Sequence, residues 1–363
     1  MTATPTVSII IPTFNRASLL QQTLDSLSEQ TLQDWEALIV DDGSEDSTAE
    51  IMRQRCQQDP RIKYIQRSSR TSGAPACRNE GTRQADGQYI LYLDADDYLA
   101  PYALRSRVTH LDAHSKLDFA VFHCALFRDL PGDTDLLWNI KKDVPDLDRF
   151  LGFDMPWQTM CPLWRRETIE KLGSWREDLP SWQDFEFHVR VLTKGFTYQW
   201  FDDTPDCFWR LPKHGSIGDK SRQPHHLKSH ESLLADIQNH LAEANLLTQH
   251  RQRLLRGIYF WLMDAWAYQG NAEAAHRVWQ LCKERNLIEP WLHEQAKPYI
   301  TASTMWVPHQ LVRRLLRNLT RRYIQQMSKN QIIPIWSTTF RKSPMTSAQK
   351  TSLTKLSKAH ELV

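Results

Sequence analysis

Four short apolar segments in the first hundred residues alternate with segments whose apolar residues recur at helical spacing. The apolar segments are residues 7–11, 35–40, 61–66 and 87–93, each bounded by proline, glycine or acidic residues. Short β-prone runs with such boundaries are typical of strands in a buried sheet. Strands that alternate with helices form parallel β-α-β units. The pattern therefore predicts an α/β fold with a mostly parallel sheet flanked by helices.

The last third of the chain has a different pattern. Residues 230–241, 254–266 and 272–285 are amphipathic with helical periodicity, which predicts an α-helical C-terminal appendage. We therefore divide the chain into an α/β domain at 1–222, a helical region at 223–328 and a basic tail at 329–363. Because the tail is rich in serine, threonine and lysine, we expect it to be disordered.

The formal net charge of +2 conceals an uneven distribution. Residues 305–363 contain eleven Lys and Arg but one acidic residue, so the preceding body is mildly acidic. This balance argues against a nucleic-acid-binding core. In the predicted helix 309–327, leucines line one face and arginines the other. That helix is either docked with a solvated basic face or a peripheral anchor on anionic lipid.

Cysteine usage and the chain start indicate a cytoplasmic protein, with helix 309–327 as its candidate contact with the inner face of the plasma membrane. The six cysteines are scattered without zinc-binding spacing, so we expect reduced, mostly structural thiols. The first residues lack a signal-peptide pattern, and no apolar run has the length of a membrane span.

Carboxylates follow two of the predicted strands. Asp41 and Asp42 follow the second, and Asp94, Asp96 and Asp97 follow the fourth. Ligands of open parallel sheets bind at the carboxyl ends of the strands, and clustered carboxylates need water or a cation to offset their repulsion. Neither a dinucleotide-binding glycine motif nor a P-loop is present. A bound nucleotide would therefore be held by carboxylates and a metal ion.

Four motifs in order carry a resemblance to a known family. They are VSIIIPTFNR at 7–16, VDDGS at 40–44, ACRNEG at 76–81 and LDADD at 93–97. Together they resemble the nucleotide-binding half of family 2 inverting glycosyltransferases, which have the Rossmann-like GT-A fold. The resemblance covers roughly residues 5–215 and implies a GT-A-like catalytic domain at 1–222.

The resemblance implies a role for each matching donor-side residue. Asp42 would accept a hydrogen bond from the uracil of a UDP-sugar, and Asp94 would face the ribose and sugar. Asp96 would hold Mn²⁺ or Mg²⁺ on the diphosphate, as suits a hard oxygen ligand. The nucleoside pocket would be lined by Pro12, Thr13 and Asn15. Two residues keep alternatives: Asp41 is a turn cap or a ligand contact, and Arg78 pairs with these acids or touches phosphate.

On the acceptor side, the resemblance makes Asp184 the catalytic base. Family members often have Glu-Asp here, whereas this chain has Gln183 before Asp184. The alternative is structural, because Ser181 and Asp184 have the spacing of a capping box. Glu186 is the reserve candidate for the base, and Trp182 either stacks on a sugar or belongs to the core. Further on, Arg210 and His214 occupy places where the family covers the diphosphate or completes the metal site.

The predicted function is transfer of a single sugar from a nucleotide-diphospho-sugar, with UDP as the expected nucleotide. The acceptor would be a hydroxyl of a glycan, glycolipid or protein in cell-surface glycan assembly. The Gln/Arg-x-x-Arg-Trp motif of processive synthases is missing, which favours single transfer. Two alternatives stay open, a sugar nucleotidyltransferase and a catalytically inactive nucleotide-sugar-binding module.

Overall fold

A seven-stranded sheet forms the centre of the protein. The computed structural model describes residues 4–68, 70–138, 140–201, 204–211, 221–304, 318–319, 322, 343–347 and 349–350. The strands of this sheet are β1 (Val7–Thr13), β2 (Trp35–Asp41), β3 (Ile62–Gln66), β4 (Tyr89–Tyr92), β6 (Phe119–Val121), β9 (Pro162–Arg165) and β10 (Tyr198–Trp200). They are ordered β10-β6-β9-β4-β1-β2-β3.

The N-terminal half of the sheet has the predicted parallel arrangement. β1 lies between β2 and β4 and is parallel to both, and β3 continues the parallel run beyond β2. The side chains of β2 and β4 are buried throughout, as expected for strands covered on both faces. β9 is antiparallel to β4 and β6, so the sheet is mixed at that side. The predicted mostly parallel α/β fold is confirmed.

A second, five-stranded sheet has the order β12-β8-β7-β11-β5. Its strands are β5 (Tyr98–Leu99), β7 (Cys124–Phe127), β8 (Leu136–Leu137), β11 (Cys207–Arg210) and β12 (Ser343–Pro344). The continuous, mostly apolar segment at 119–127 contributes β6 to the first sheet and β7 to the second. The chain changes sheet at Phe122 and His123, which are both buried.

Eleven helices in the described part of the chain surround these sheets. They are α1 (Ala17–Ser28), α2 (Thr48–Gln58), α3 (Ala74–Gln84), α4 (Ala103–Ala113), α5 (Asp146–Leu151), α6 (Arg166–Leu172), α7 (Gln183–Thr193), α8 (Pro224–Glu243), α9 (Gln249–Tyr268), α10 (Ala272–Glu284) and α11 (Pro290–Thr304). The last four confirm the helical C-terminal region. One continuous core joins them to the main sheet. None of the helices in the described ranges is long and apolar enough to cross a bilayer.

The C-terminal tail differs in part from the expected disorder. Ser343 and Pro344 form β12, which pairs antiparallel with β8. Met345 is buried in a small cluster against Phe127 and Leu137. Most of the helix predicted at 309–327 lies outside the described residues.

Candidate functional site

The carboxyl ends of β1, β2 and β4 bring the acidic motifs to one edge of the sheet. Thr13 is paired in register with Asp41, and the next backbone N–H, that of Asp42, donates to the carbonyl of Thr13 at 2.9 Å. On the other side of β1, the N–H of Leu93 donates to Ile10 at 3.0 Å. The two acidic motifs therefore flank the end of β1.

Asp41 shapes the turn that presents Asp42. Its carboxylate accepts hydrogen bonds from the backbone N–H and hydroxyl of Ser44, at 2.9 and 2.6 Å, and from the hydroxyl of Tyr64 at 2.5 Å. The side chain is buried. This arrangement supports the turn-cap alternative for Asp41.

Asp42 is half-buried and held from both sides. Arg67 donates to one carboxylate oxygen, and the N–H of Gly73 donates to the other at 2.8 Å. Gly73 has a φ of 109°, a backbone conformation that favours glycine. The carboxylate of Asp42 therefore has a defined orientation at the end of β2.

The loop after β1 is joined to the loop after β2. Asn15, with a φ of 50°, donates its backbone N–H to the hydroxyl of Ser44 at 2.9 Å, and its amide oxygen accepts from the N–H of Glu45 at 2.8 Å. Thr13 is buried, and its hydroxyl has no hydrogen-bond partner among the described residues. Pro12 is half-buried beside it. The three predicted nucleoside-binding residues thus lie together at the carboxyl end of β1 and form one wall beside the edge of the sheet.

Arg78 reaches the fourth strand from α3. Its guanidinium is buried, donates to Asp94 at 2.8 Å and lies 4.6 Å from the ring centroid of Trp175. The close approach of α3 to β1 requires Gly81, because a Cβ atom there would lie 2.5 Å from Cγ2 of Ile10. The ACRNEG motif therefore has two separable roles, packing through Gly81 and charge placement through Arg78.

Asp96 and Asp97 lie in different environments. Asp96 is partly exposed and forms an ion pair with Arg16, whereas Asp97 is buried. Burial raises the pKa of Asp96, against the opposing charge of Arg16, and the neighbouring Asp94 raises it further. Burial and the charges of Asp96 and Asp94 raise the pKa of Asp97 well above its ordinary value. Arg16 was not singled out from the sequence, although it ends the first motif.

Arg210 supports the acidic turn from below. Its backbone N–H donates to Asp97 at 2.9 Å, and its Nε donates to the carbonyl of Asp96 at 2.9 Å. The guanidinium also donates to Gln22 at 2.8 Å and lies 4.4 Å from the ring centroid of Phe127. Arg210 is thus near the predicted metal position, but its side chain is engaged with protein groups. His214 lies outside the described residues.

Asp184 is in the first turn of α7 and is half-buried. Burial raises its pKa; the charge of Arg78 lowers it and that of Asp94 raises it. These two residues also form the ion pair at the end of β4, so the charges at that strand end act on Asp184. Glu186 instead bonds to Arg190 at 2.7 Å and is buried, consistent with a structural role.

The predicted capping box at Ser181 is absent. The residue preceding α7 is Trp182, with a φ of 63°, and it makes no side-chain capping bond. The hydroxyl of Ser181 lies instead 2.6 Å from Nδ1 of His226 and 2.9 Å from Nε2 of His230. Trp182 stacks on His230 with ring centroids 3.7 Å apart. Both histidines belong to α8, a connection that local spacing could not reveal.

The family match lies in the N-terminal half of the chain. The family Glycosyl transferase family 2 matches residues 8–166. A Campylobacter jejuni protein named GalNAc(5)-diNAcBac-PP-undecaprenol beta-1,3-glucosyltransferase is 37% identical over 100 residues, which are 28% of this chain and 32% of that protein. The chain spans about a third or less of the length of the first curated relatives it matches.

Two solved structures share the fold over most of the chain. S. aureus TarS 1-349 in complex with UDP-GlcNAc has a TM-score of 0.63 at 16% identity, covering 90% of this chain and 92% of TarS 1-349. The mannosyltransferase PcManGT from Pyrobaculum calidifontis, in complex with GDP-Man and Mn²⁺, has a TM-score of 0.51 at 18% identity, covering 93% and 89%. These likenesses confirm the GT-A fold class.

Proposed function

We propose that this chain, whose residues 8–166 match glycosyl transferase family 2, transfers one hexose from a UDP-sugar to a hydroxyl of a cell-surface glycan or glycolipid, with inversion at the anomeric carbon. One observation carries the proposal. The carboxylates that follow β2 and β4 lie at the same carboxyl edge of the sheet, and the charges of the Arg78–Asp94 ion pair act on Asp184. UDP-GlcNAc is bound by TarS, a structural neighbour.

The donor nucleoside would lie on the wall formed by the loops after β1 and β2. Asp42 would accept a hydrogen bond from the uracil imide, because Arg67 and the N–H of Gly73 already orient its carboxylate. Pro12, Thr13 and Asn15 would line the pocket beside it. Arg78, buried and ion-paired with Asp94, would position that carboxylate towards the ribose and sugar.

The residues at the end of β4 fit a divalent cation. Asp94 and Asp96 offer hard carboxylate oxygens of the kind that Mn²⁺ and Mg²⁺ prefer, and Mn²⁺ is present with the neighbour PcManGT. Arg16, which pairs with Asp96, is 42% exposed, and an exposed ion pair contributes little stability that a cation would have to replace. Asp96 would hold the cation, with His214 as a further candidate ligand. A bound cation would offset the negative charge of the departing diphosphate.

Asp184 would act as the general base. As the acceptor oxygen attacks the anomeric carbon opposite the diphosphate, its proton passes to Asp184 and the bond from that carbon to the phosphate oxygen breaks. Attack on the opposite face inverts the anomeric configuration. The raised pKa of Asp184 makes it a stronger base, and the nearby charge of Arg78 helps to keep it ionised.

The reaction would occur at the cytoplasmic face of the membrane. The helix predicted at 309–327 would contact the anionic lipid there.

The test is a turnover assay of the intact chain with a panel of UDP-, GDP- and dTDP-sugars and glycolipid acceptors. We expect UDP release coupled to sugar transfer, and product NMR should show the inverted anomer. Pyrophosphate release from a nucleoside triphosphate and a sugar phosphate would establish the nucleotidyltransferase alternative instead. Donor binding without transfer across the acceptor panel would favour the inactive module.

A further inference from the structure

Three of the six cysteines converge in the core of the α/β domain. The sulfur atoms of Cys124, Cys161 and Cys207 all lie within 4.8 Å of one another, and the three residues are buried. They are far apart in sequence, and no Cys-x-x-Cys spacing announces the cluster. Scattered positions had indicated separate structural thiols.

The cluster occupies the junction of the two sheets. Cys124 and Cys207 begin β7 and β11, where they are paired in register in the second sheet. Cys161 immediately precedes β9 of the main sheet. A metal ion bound by all three sulfurs would therefore link the two sheets.

The surroundings contain groups that suit a thiolate. Cys161 accepts the backbone N–H of Gln158 at 3.3 Å, while the thiols of Cys124 and Cys207 donate to the backbone carbonyls of Ala125 and His123 at 3.4 and 3.5 Å. The guanidinium of Arg107 is close enough for its charge to act on Cys161 and Cys207. It is fixed there by hydrogen bonds to Asp206 at 2.7 and 2.6 Å. Amide donors and a nearby cation both stabilise charge on sulfur.

We infer that Cys124, Cys161 and Cys207 form a three-thiolate site for a thiophilic cation, Zn²⁺ or Cu⁺, which fastens the two sheets together. Zinc–sulfur bonds of about 2.3 Å place the sulfurs of a tetrahedral site roughly 3.8 Å apart, within the observed limit. Each thiol releases its proton to solvent and donates a sulfur lone pair to the cation. Three thiolates leave a net negative charge beside the buried Arg107–Asp206 ion pair.

The number of ligands around the metal depends on which ion binds. Structural Zn²⁺ usually has four ligands, and no fourth His, Cys, Asp or Glu joins the cluster among the described residues. Thiolates also select Cu⁺, the other ion to be tested. None of the three cysteines is among the residues assigned to the donor, the acceptor or the divalent cation above, so the inference does not depend on the proposed function.

The test uses the intact chain, reduced and stripped of metal, with no donor present. Zn²⁺ is added in one arm and Cu⁺ under anaerobic conditions in another, and retained metal is measured by plasma mass spectrometry after desalting. We expect one equivalent of at least one ion to be retained, a higher Tm, and protection of the three thiols from alkylation.

Two variants decide the assignment. Cys161→Ser should lower the affinity about 100-fold or more, while Cys282→Ser, which removes a buried thiol of α10, should bind like the wild type. Cys124→Ala serves as a second ligand variant if Cys161→Ser fails to fold by circular dichroism. Retention of neither ion, or equal retention by the ligand variants and wild type, overturns the inference.

Discussion

Asp184 combines partial burial with two opposing charges, and this environment determines what a substitution there should change. The capping residue of α7 is Trp182, whose side chain makes no capping bond. An uncharged amide of the same shape at position 184 should therefore leave α7 in place. What remains is the electrostatic link to Arg78 and Asp94, which connects Asp184 to the donor side.

Asp184→Asn should lower kcat by about 10²-fold or more, because the amide keeps the shape of the side chain but accepts no proton. Donor affinity, measured by calorimetry with UDP-sugar and Mn²⁺, should change little. Glu186→Gln is the matched control: its ion pair with Arg190 is buried and lies on the same helix, so stability should fall while kcat stays near normal. A large kcat loss in Glu186→Gln alone would move the base to that residue.

Asp96→Ala should abolish metal-dependent donor binding and turnover, and excess EDTA should do the same to the wild type. The reason is that Asp96 offers the partly exposed carboxylate beside Asp94. Asp25→Ala provides the control, since Asp25 is also an acid paired with an arginine, Arg55, but belongs to α1 and not to the acidic segment after β4. Full activity in EDTA, or in Asp96→Ala, would contradict the metal assignment.

At the residue scale, the carboxylates were easier to predict than their partners. An acid placed directly after a buried strand must lie at the carboxyl edge of the sheet, as Asp42 and Asp94 do. An arginine can reach a partner in many directions, so the pairs of Arg16 with Asp96 and Arg67 with Asp42, which are 80 and 25 residues apart, leave no local pattern. The role of Arg210 at the diphosphate or the metal stays a prediction, and its guanidinium packs on Phe127 and donates to the carbonyl of Asp96.

At the scale of helices and strands, the start of α7 differs from what the sequence spacing predicts. Ser181 has capping-box spacing, but its hydroxyl bonds to two histidines of α8. Burial and the charge of His226 lower the pKa of His230 to about 3, so that imidazole is neutral near pH 7. The α7–α8 junction is therefore a buried polar contact between the α/β domain and the helical region.

Ser181→Ala should lower the free energy of unfolding by about 1–3 kcal/mol, because it leaves buried imidazole nitrogens without the hydroxyl. Chemical denaturation measures this change. Ser28→Ala is the control, since Ser28 is exposed on α1 and bonds only to the carbonyl of Leu24. Equal losses in the two variants would show that the contact with α8 contributes nothing specific.

Strand identity was predictable where the pattern is local and failed where the chain changes sheet. Residues 119–127 are all buried, so their apolar pattern contains no sign of the break between β6 and β7. β9, at residues 162–165, is antiparallel in a parallel neighbourhood, and its pairing with β4 and β6 depends on contacts distant in sequence. Hydrophobic periodicity indicates that a segment is buried, but it does not indicate the sheet to which the segment belongs.

At the scale of the whole molecule, the C-terminal segment contacts the α/β domain at a distance from the helical region. β12 extends the second sheet, Met345 is buried, and Lys350 pairs with Asp135 at 2.6 Å. Deleting the entire basic end would thus remove a packing contact together with its charge. A substitution of charges alone separates these effects.

Replacing Arg313, Arg314, Arg317 and Arg321 by glutamine should greatly weaken sedimentation with anionic vesicles while leaving turnover on a water-soluble acceptor unchanged. Each basic residue near an anionic surface contributes about 1 kcal/mol, so four together account for about 4 kcal/mol, and added salt should reverse the binding of the unmodified chain. The control variant carries four glutamines at exposed basic positions elsewhere, namely Arg83, Lys171, Lys228 and Lys297. Its vesicle binding should stay close to that of the unmodified chain, because those charges are spread over the surface. Two outcomes would contradict this prediction: no binding of the unmodified chain to anionic vesicles at low salt, or an equal loss of binding in both variants. The segment at 309–327 would then have no specific membrane role, and the alternative of a docked helix with a solvated basic face would stand.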